Sequence, residues 1–182
     1  PKTLFLVPKG DQKLLNRKGI KNTREFLWWE NIEIKGTKFT FTPTQHWSAR
    51  GLADRNKSLW GGWFMSFPNF KSFHAGDSGY SKDFQDTQAK LGKPDLSLIP
   101  IGAYAPQWFM KANHVNPEEA LQVALDLGSK KNYAMHRGTF QLTDEETLEP
   151  PALLEEALTK NGLPKTFFEI LKPGQLKKVT LN

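Results

Sequence analysis

The stretch SFHAGDSGY, residues 72–80, places one carboxylate, Asp77, between two glycines. Its first residues have the composition of a strand, and they lead into small residues at which the backbone can turn sharply. Asp, Ser and Gly together are also typical of a plain surface turn, because Asp accepts local backbone hydrogen bonds and Gly tolerates positive φ. The stretch alone therefore allows two interpretations, a simple turn or a carboxylate with space around it for a ligand.

The composition excludes several classes of protein and of site. The 182 residues suit one domain with a substantial core, and a hydrophobic fraction of 38% is not that of a disordered chain. The absence of cysteine excludes disulfides, thiolate zinc sites and a cysteine nucleophile. No apolar run approaches the roughly 18 residues of a membrane-spanning helix.

The net charge of +6 is spread along the chain, with only a short basic concentration at residues 9–21. We therefore expect a solvated basic surface and no nucleic acid partner, since phosphate-binding surfaces normally cluster their cations. No targeting signal is visible in the sequence, and a cytoplasmic location is adopted as the default expectation.

The order of predicted elements favours an α/β fold, with a mixed sheet and helices on its outer face. The first predicted elements are strands at 3–7, 24–29, 38–42 and 58–65 and a short helix at 11–18. The later ones are strands near 72–75 and at 96–101, 132–136 and 176–181, with helices at 84–91, from 117 and at 152–160. No linker or repeat divides the chain, so residues 1–182 are predicted to form a single domain.

Three side chains that can bind metals lie where predicted strands end. His46 and His136 each end a strand, and Asp77 follows another. Open α/β sheets assemble their sites at the carboxyl ends of strands, so these residues are candidate ligands of one metal site. Histidines in such positions are as often only hydrogen-bonded, and the spacing by itself leaves both interpretations open.

Five ordered motifs resemble those of metallo-β-lactamase-fold hydrolases, and within that group the N-acyl phosphatidylethanolamine phospholipase D branch. They are FTPTQHW at 41–47, FHAGDSGY at 73–80, IPIGAY at 99–104, WFM at 108–110 with HVNPEEA at 114–120, and AMHRGTF at 134–140 with LEPP at 148–151. The resemblance covers nearly the whole chain. It implies part of an αββα sandwich, with a site for two metal ions, usually zinc, at the edge of the sandwich.

The resemblance also implies a role for each candidate residue. Asp77 matches the carboxylate that bridges the two metals, while His46 matches a ligand of one ion and His136 a ligand of the other. His114 matches a histidine near the substrate, for which a proton donor, a phosphate contact and simple packing remain alternatives. His74 is interpreted as structural, and Arg137 stands where an aromatic residue is expected, which leaves the substrate open.

The function that follows from the resemblance is a metal-dependent, phospholipase D-like hydrolysis of phosphodiester-type bonds by a dinuclear metal-activated hydroxide. Phospholipid or another phosphodiester is the expected substrate, with peripheral membrane contact as a further expectation. Five tryptophans are candidates for the lining of an apolar groove: Trp28, Trp29, Trp60, Trp63 and Trp108. The alternatives are a lactonase or sugar-phosphate hydrolase on the same fold, a nuclease, and a non-catalytic binding module.

The family's first motif, His-x-His-x-Asp-His, is missing from this sequence. The nearest two histidines, His114 and His136, are 22 residues apart, so no such motif exists in the chain. We therefore expect this chain to be the C-terminal part of a metallo-β-lactamase-fold domain, with weak or absent zinc and no hydrolysis by these residues alone. The expected partner is the missing N-terminal half or a second copy, bound through an exposed apolar face.

Overall fold

A computed structural model describes residues 2–179, in which one large sheet and one two-stranded sheet are accompanied by five helices. The strands are β1 (Phe5–Pro8), β2 (Thr23–Phe26), β3 (Asn31–Ile34), β4 (Thr37–Thr42), β5 (Gly62–Phe67), β6 (Phe70–His74), β7 (Leu96–Pro100), β8 (Lys131–Met135) and β9 (Phe168–Glu169). The helices are α1 (Gln12–Arg17), α2 (Asp83–Leu91), α3 (Gln107–Met110), α4 (Pro117–Leu127) and α5 (Glu149–Lys160).

The large sheet has seven strands within the described residues, in the spatial order β3-β4-β5-β6-β7-β8-β9. Strands β3 to β6 pair antiparallel, whereas β6 to β9 pair parallel. Parallel neighbours need a crossover connection, and α2, α4 and α5 lie between β6 and β7, β7 and β8, and β8 and β9. The carboxyl ends of β6, β7 and β8 therefore meet at one edge of the sheet.

One face of this sheet packs against the helices and holds the main core. Alternate residues of the strands, such as Phe64, Phe73 and Ile99, point to this face and are almost completely buried. The helices contribute Phe84, Ala120, Leu121, Val123, Ala124, Leu127, Leu154, Ala157 and Leu158 to the same cluster. This arrangement confirms the predicted α/β class with helices on the outer face of a mixed sheet.

The opposite face of the sheet packs against the small sheet. Phe26 of β2 lies edge-on to Trp63 of β5, with ring centroids 5.2 Å apart, and Phe41 of β4 contacts the same indole at 5.1 Å. Strands β1 and β2 pair parallel over four residues, and α1 contacts β2. The described residues thus form a helical layer, a seven-stranded layer and a two-stranded layer on its other side.

The prediction of a last strand at 176–181 is wrong for the part that the structure describes. Residues 176–179 are not in a strand, Leu176 is 95% exposed, and residues 180 and 181 lie outside the described residues. The edge position beside β8 is occupied instead by Phe168–Glu169, because Phe168 fills the core and is 1% exposed. The segment after it turns at Gly174, where φ is +80°, and Lys177 returns to pair with Glu169 at 2.6 Å.

Strand β3 was also missed in the sequence, because its alternation of polar and apolar residues is only four residues long.

No helix within residues 2–179 is both long and apolar enough to cross a bilayer.

Candidate metal centre

The four candidate side chains lie on four loops at the carboxyl edge of the parallel strands. Asp77 follows β6, His136 follows β8, and His114 precedes α4. The strand predicted at 38–42 ends at Thr42 as expected, but His46 lies four residues beyond it and does not itself end the strand. The segment after β4 is nevertheless held at the site by a bridge between Gln45 and Gly79, in which the Gly79 amide donates to the Gln45 carbonyl at 2.8 Å.

The structure brings these four side chains together. Nε2 of His136 lies 3.5 Å from Oδ1 of Asp77. The His114 ring lies between the other two histidines, with its centroid 5.2 Å from that of His46 and 5.4 Å from that of His136. The structure thus places His136 beside Asp77, and His114 beside both His46 and His136. The convergence of His46, Asp77 and His136 within coordination reach, and their function as metal ligands, stay predictions.

Three of the imidazoles each have a buried ring nitrogen without a hydrogen-bond partner within the described residues: Nε2 of His46, Nδ1 of His114 and Nδ1 of His136. Buried polar atoms are normally satisfied, so each of these nitrogens is a place where a missing ligand is to be sought. His46 is the clearest case, because its Nδ1 lies 2.8 Å from the Trp47 carbonyl. That contact fixes the proton on Nδ1 and leaves the lone pair of Nε2 free, which is the tautomer that binds a metal.

The donors fit zinc in kind but do not enclose an ion as they stand. Imidazole nitrogen and carboxylate oxygen are ordinary zinc ligands. Within residues 2–179, however, no three His, Asp or Glu side chains are grouped closely enough to hold a metal ion. The cluster is therefore an incomplete ligand set, since a structural or catalytic zinc ion has three or four protein ligands.

The charges of the cluster affect one another. The contact with His136 holds the pKa of the Asp77 carboxyl below its usual value, and the same contact raises the pKa of His136. Burial lowers the pKa of His114 to about 4, and the neighbouring His46 contributes to this shift. At neutral pH, Asp77 is thus an anion and His114 a neutral imidazole.

The glycines on either side of Asp77 leave space for the backbone of neighbouring loops. At Gly76, where φ is +67°, a β-carbon would lie 2.7 Å from the Gly61 carbonyl oxygen. At Gly79 it would lie 2.7 Å from the carbonyl oxygen of Lys111, which precedes His114. The motif therefore lets three loops approach closely enough to bring Asp77 and His114 into one cluster.

His74 has the structural function that the sequence indicated. Its Nδ1 accepts a hydrogen bond from the Gly76 amide at 3.1 Å, which supports the turn that carries Asp77. Burial lowers its pKa, so the ring is a neutral acceptor.

Four of the five tryptophans expected to line an apolar groove have other contacts. The Trp28 indole donates to the Trp60 carbonyl at 2.6 Å, and that of Trp60 donates to the Thr44 carbonyl at 2.9 Å. Trp63 packs between the two sheets, and Lys90 covers Trp29 with its ammonium 5.2 Å from the ring centroid. Trp108 alone of the five is largely exposed, at 86%.

Sequence reasoning did not single out Glu145, which is 9% exposed beside the site. Its carboxylate accepts hydrogen bonds from the amides of Ala103 at 2.5 Å and Ala105 at 3.1 Å. These bonds join the loop after β8 to the loop after β7, in which Ala103 has a φ of +66°. The run Asp144-Glu145-Glu146 has the composition of a solvated turn, so no local signal marks its central carboxylate.

Comparison with known proteins agrees with this architecture. Residues 5–137 match the family described as the Beta-lactamase superfamily domain. The chain is 40% identical to the mitochondrial N-acyl-phosphatidylethanolamine-hydrolyzing phospholipase D of Saccharomyces cerevisiae, over 84% of this chain and 34% of that protein. It is 36% identical to N-acyl-phosphatidylethanolamine-hydrolyzing phospholipase D 1 of Caenorhabditis elegans, over 97% of this chain and 53% of that protein. The chain therefore spans about a third to a half of the length of these relatives.

Two solved structures show the same fold. Igni18, a metallo hydrolase of Ignicoccus hospitalis, superposes with a TM-score of 0.71 at 21% identity, over 95% of this chain and 67% of that one. An isothiocyanate hydrolase from Delia radicum gut bacteria superposes with a TM-score of 0.72 at 20% identity, over 95% and 66% of the two chains. At this level of identity the likeness concerns the fold alone.

Proposed function

Because this chain belongs to the Beta-lactamase superfamily domain family, we propose that it provides the C-terminal half of a zinc-dependent phosphodiesterase site. The observation that carries this proposal is the cluster of three imidazoles around Asp77, each with a buried ring nitrogen that has no partner among residues 2–179. The names of the yeast and nematode relatives support a phospholipid phosphodiester as the substrate class.

In this proposal His46, Asp77 and His136 would hold two zinc ions, with Asp77 shared between them. A carboxylate suits this role because it has two oxygens that can act as ligands. The pKa of Asp77 is already lowered without any metal, so no proton has to be displaced from it at neutral pH. Two bound zinc ions would supply hydroxide as a nucleophile near neutral pH and neutralise charge on the phosphoryl oxygens.

His114 in this proposal contacts the phosphoryl group or the leaving oxygen as a neutral hydrogen-bond donor. With a pKa of about 4 its ring carries one N–H and one lone pair at neutral pH. Of the alternatives open from the sequence, this supports the phosphate contact over transfer of a proton from a protonated imidazole. Packing alone is not supported, because Nδ1 of His114 is buried and has no partner in the part of the chain that the structure describes.

We further propose that the remaining zinc ligands come from an N-terminal half of the same domain. Three donors cannot complete the coordination of two ions, and the chain matches only 34% and 53% of the two relatives' lengths. The two-stranded sheet agrees with this, because a parallel pair is normally part of a larger sheet covered on both faces. The half-exposed side chains Leu4 and Leu27 adjoin this sheet and suit such a contact.

The test compares this chain alone with the same chain co-expressed with the N-terminal segment of the yeast relative. Zinc content is measured by mass spectrometry, and hydrolysis is measured on N-acyl phosphatidylethanolamine, a lactone and RNA. We expect two zinc ions and lipid hydrolysis only in the combined protein. Asp77→Asn is expected to remove both, whereas Asp86→Asn on the exposed side of α2 leaves both unchanged.

Two results would contradict these proposals. Two tightly bound zinc ions in a monomer of this chain alone would contradict the need for a second half. Hydrolysis of the lactone or RNA without hydrolysis of the lipid would show that the site is that of a lactonase or a nuclease and not of a phospholipid phosphodiesterase.

A further inference from the structure

A cleft beside His136 has Arg137 among its lining residues, and this arginine has no counter-ion within the described residues. The cleft has a volume of about 260 Å³ and lies between residues 102–103 and the loop 136–147. Sites that enclose a whole drug-sized ligand occupy roughly 300–1,000 Å³, so this cleft suits one substituent of a larger molecule. We call it the Arg137 cleft.

Arg137 uses only part of its hydrogen-bonding capacity. Its Nη2 donates to the Leu171 carbonyl at 2.6 Å, and this is the one hydrogen bond that the guanidinium makes within residues 2–179. A guanidinium has five N–H donors, so most of them remain available. Among the described residues no carboxylate oxygen lies within 4.0 Å of it. The side chain is half-buried, so part of its hydration is lost.

The two carboxylates in the wall of the cleft have other surroundings. The Glu145 carboxylate accepts hydrogen bonds from the amides of Ala103 and Ala105, so its charge is already stabilised by the contact between the two loops. Glu146 is exposed to solvent and makes no ion pair with a described residue. Neither group therefore compensates the positive charge of Arg137.

The loop itself adds hydrogen-bond donors. None of the backbone amides of residues 137–143 donates to another described residue. His136 and Gly138 have φ values of +54° and +74°, so the backbone turns tightly around Arg137. A backbone in which positive and negative φ values alternate directs successive N–H groups to one side, and it is a common feature of anion-binding loops.

We propose that the Arg137 cleft is an anion subsite, in which Arg137 binds a free phosphate monoester or carboxylate that the substrate carries beside its scissile bond. A planar guanidinium pairs with either group through two parallel hydrogen bonds. An unpaired charge that is partly desolvated gains from such a partner, because the partner replaces the lost hydration. The proposal depends on the proposed function for the orientation of the substrate, whereas binding of the anion itself requires no zinc.

The first experiment measures binding in the absence of metal. The chain is kept in EDTA and titrated with inorganic phosphate, and separately with acetate, while the backbone amide signals of residues 138–143, which every variant retains, are followed by NMR. We expect a saturable shift of these signals in the wild type, and phosphate affinity at least tenfold lower in Arg137→Met, which keeps the packing of the stem. Arg137→Lys, which keeps the charge but not the fork, is expected to bind at intermediate strength.

The matched control is Arg24→Met, which removes an equal charge from the exposed part of β2. It is expected to change phosphate affinity less than twofold. Equal losses in Arg24→Met and Arg137→Met would show that only net charge matters and would overturn the proposal, as would unchanged binding by Arg137→Met. A response to phosphate alone identifies the phosphate monoester, and a response to both probes extends the subsite to carboxylates.

The second experiment uses the combined protein and two phosphodiesters that differ by one terminal phosphate. Arg137→Met is expected to raise KM at least tenfold for the substrate with the terminal phosphate and less than twofold for the one without it, with kcat unchanged. Equal effects on the two substrates would overturn the subsite. Absence of hydrolysis with either substrate, together with phosphate binding in EDTA, contradicts the proposed function and supports the anion subsite.

Discussion

The helix-covered face of the large sheet and the edge that carries Asp77 differ in which buried polar atoms lack a partner. On the covered face, the hydroxyls of Ser97 and Ser129 form a 3.0 Å hydrogen bond, while the Thr87 hydroxyl and the Asn132 side-chain oxygen have no partner among the described residues. At the edge, the atoms without a partner in the described part of the chain are ring nitrogens of His46, His114 and His136. The unpartnered atoms of the covered face are a neutral hydroxyl and an amide oxygen inside the core, whereas those at the edge are of the kind that binds a metal ion.

The two regions also differ in backbone conformation. Among the described residues, Ala103 and His136 at the edge adopt positive φ without being glycine, which costs energy that the surrounding packing must supply. The strands and helices of the covered face show no such residue. This comparison predicts that substitutions on the covered face change stability most, while substitutions at the edge change the site at a smaller cost in stability.

The largest effect is expected from Leu127→Ala in α4. Leu127 is completely buried, and a Leu→Ala change in a core costs about 2–5 kcal/mol because it leaves a cavity. Leu125→Ala in the same helix is the control, since Leu125 is 41% exposed and should cost less than about 1 kcal/mol. Urea unfolding measures both, and equal costs would contradict the assignment of the core to this face.

The next effect is expected from Gly102→Ala at the edge. A β-carbon at this position would lie 2.5 Å from the His136 carbonyl oxygen, so the His136 loop must move. Overpacking of this kind costs about 1–3 kcal/mol. Gly51→Ala is the control, because its nearest neighbour is a side-chain oxygen 4.0 Å away. Chemical shifts of the His136 ring in the two variants test whether the site moves; an unmoved ring in Gly102→Ala would contradict the close approach.

Glu145→Gln tests the contact between the two loops and has a defined pH dependence. Burial raises the pKa of Glu145, but hydrogen bonds from Thr143, Ala105 and Ala103 outweigh this and hold it below 4.5. A carboxyl whose pKa is lower in the folded than in the unfolded state stabilises the folded chain above about pH 4.5. This stabilisation is lost as the pH falls through the pKa of the folded state.

We therefore expect Glu145→Gln to destabilise the chain at pH 7 by about 1–3 kcal/mol, since Gln cannot accept both amides. The difference from wild type should shrink below pH 4.5. Glu146→Gln, in which an exposed neighbour changes in the same way, should have little effect at either pH. Thermal unfolding at pH 7 and pH 3.5 measures this, and a pH-independent loss would show that packing, not charge, is responsible.

The smallest effect is expected from Asn116→Ala at the start of α4. Asn116 accepts the Glu119 amide at 2.8 Å, and Glu119 accepts the Asn116 amide in return. Loss of such a cap costs about 0.5–2 kcal/mol. Gln122→Ala, on the exposed side of the same helix, is the control. Because His114 lies two residues before the cap, Asn116→Ala should also broaden the NMR signal of the His114 ring; sharp signals and an unchanged stability would contradict the cap.

Local patterns in the sequence were sufficient for most of the covered face. The sequence Asn116-Pro117-Glu118-Glu119 predicts the start of α4, and Gly128, with a φ of +61°, ends this helix in the left-handed conformation that glycine favours. These signals act within one turn of helix. Strand β9 could not be predicted in the same way, since only contact with β8 and burial of Phe168 distinguish it from the more strand-like residues 176–181.

The same distinction applies to the candidate site, whose residue types can be read from the sequence but whose geometry cannot. The residue types and motif order identified His46, Asp77, His114 and His136 as candidates, because imidazole and carboxylate chemistry is present in the sequence itself. Their distances depend on contacts between loops that are 22 or more residues apart in the chain, such as the bridge between Gln45 and Gly79. Glu145 and the uncompensated charge of Arg137 were likewise unrecognisable before folding, since a carboxylate or guanidinium acquires these properties only from what surrounds it.

The sequence by itself thus determined the superfamily, through the resemblance of its five ordered motifs to a known family. It also determined the alternation of strands and helices and the set of candidate side chains, because these depend on local periodicity and residue chemistry. The tertiary structure alone decided which strand occupies the edge beside β8, that most of the tryptophans pack within the protein and that His114 is neutral. Burial and electrostatic shifts of this kind arise from residues distant in the chain, which only folding brings within a few ångströms.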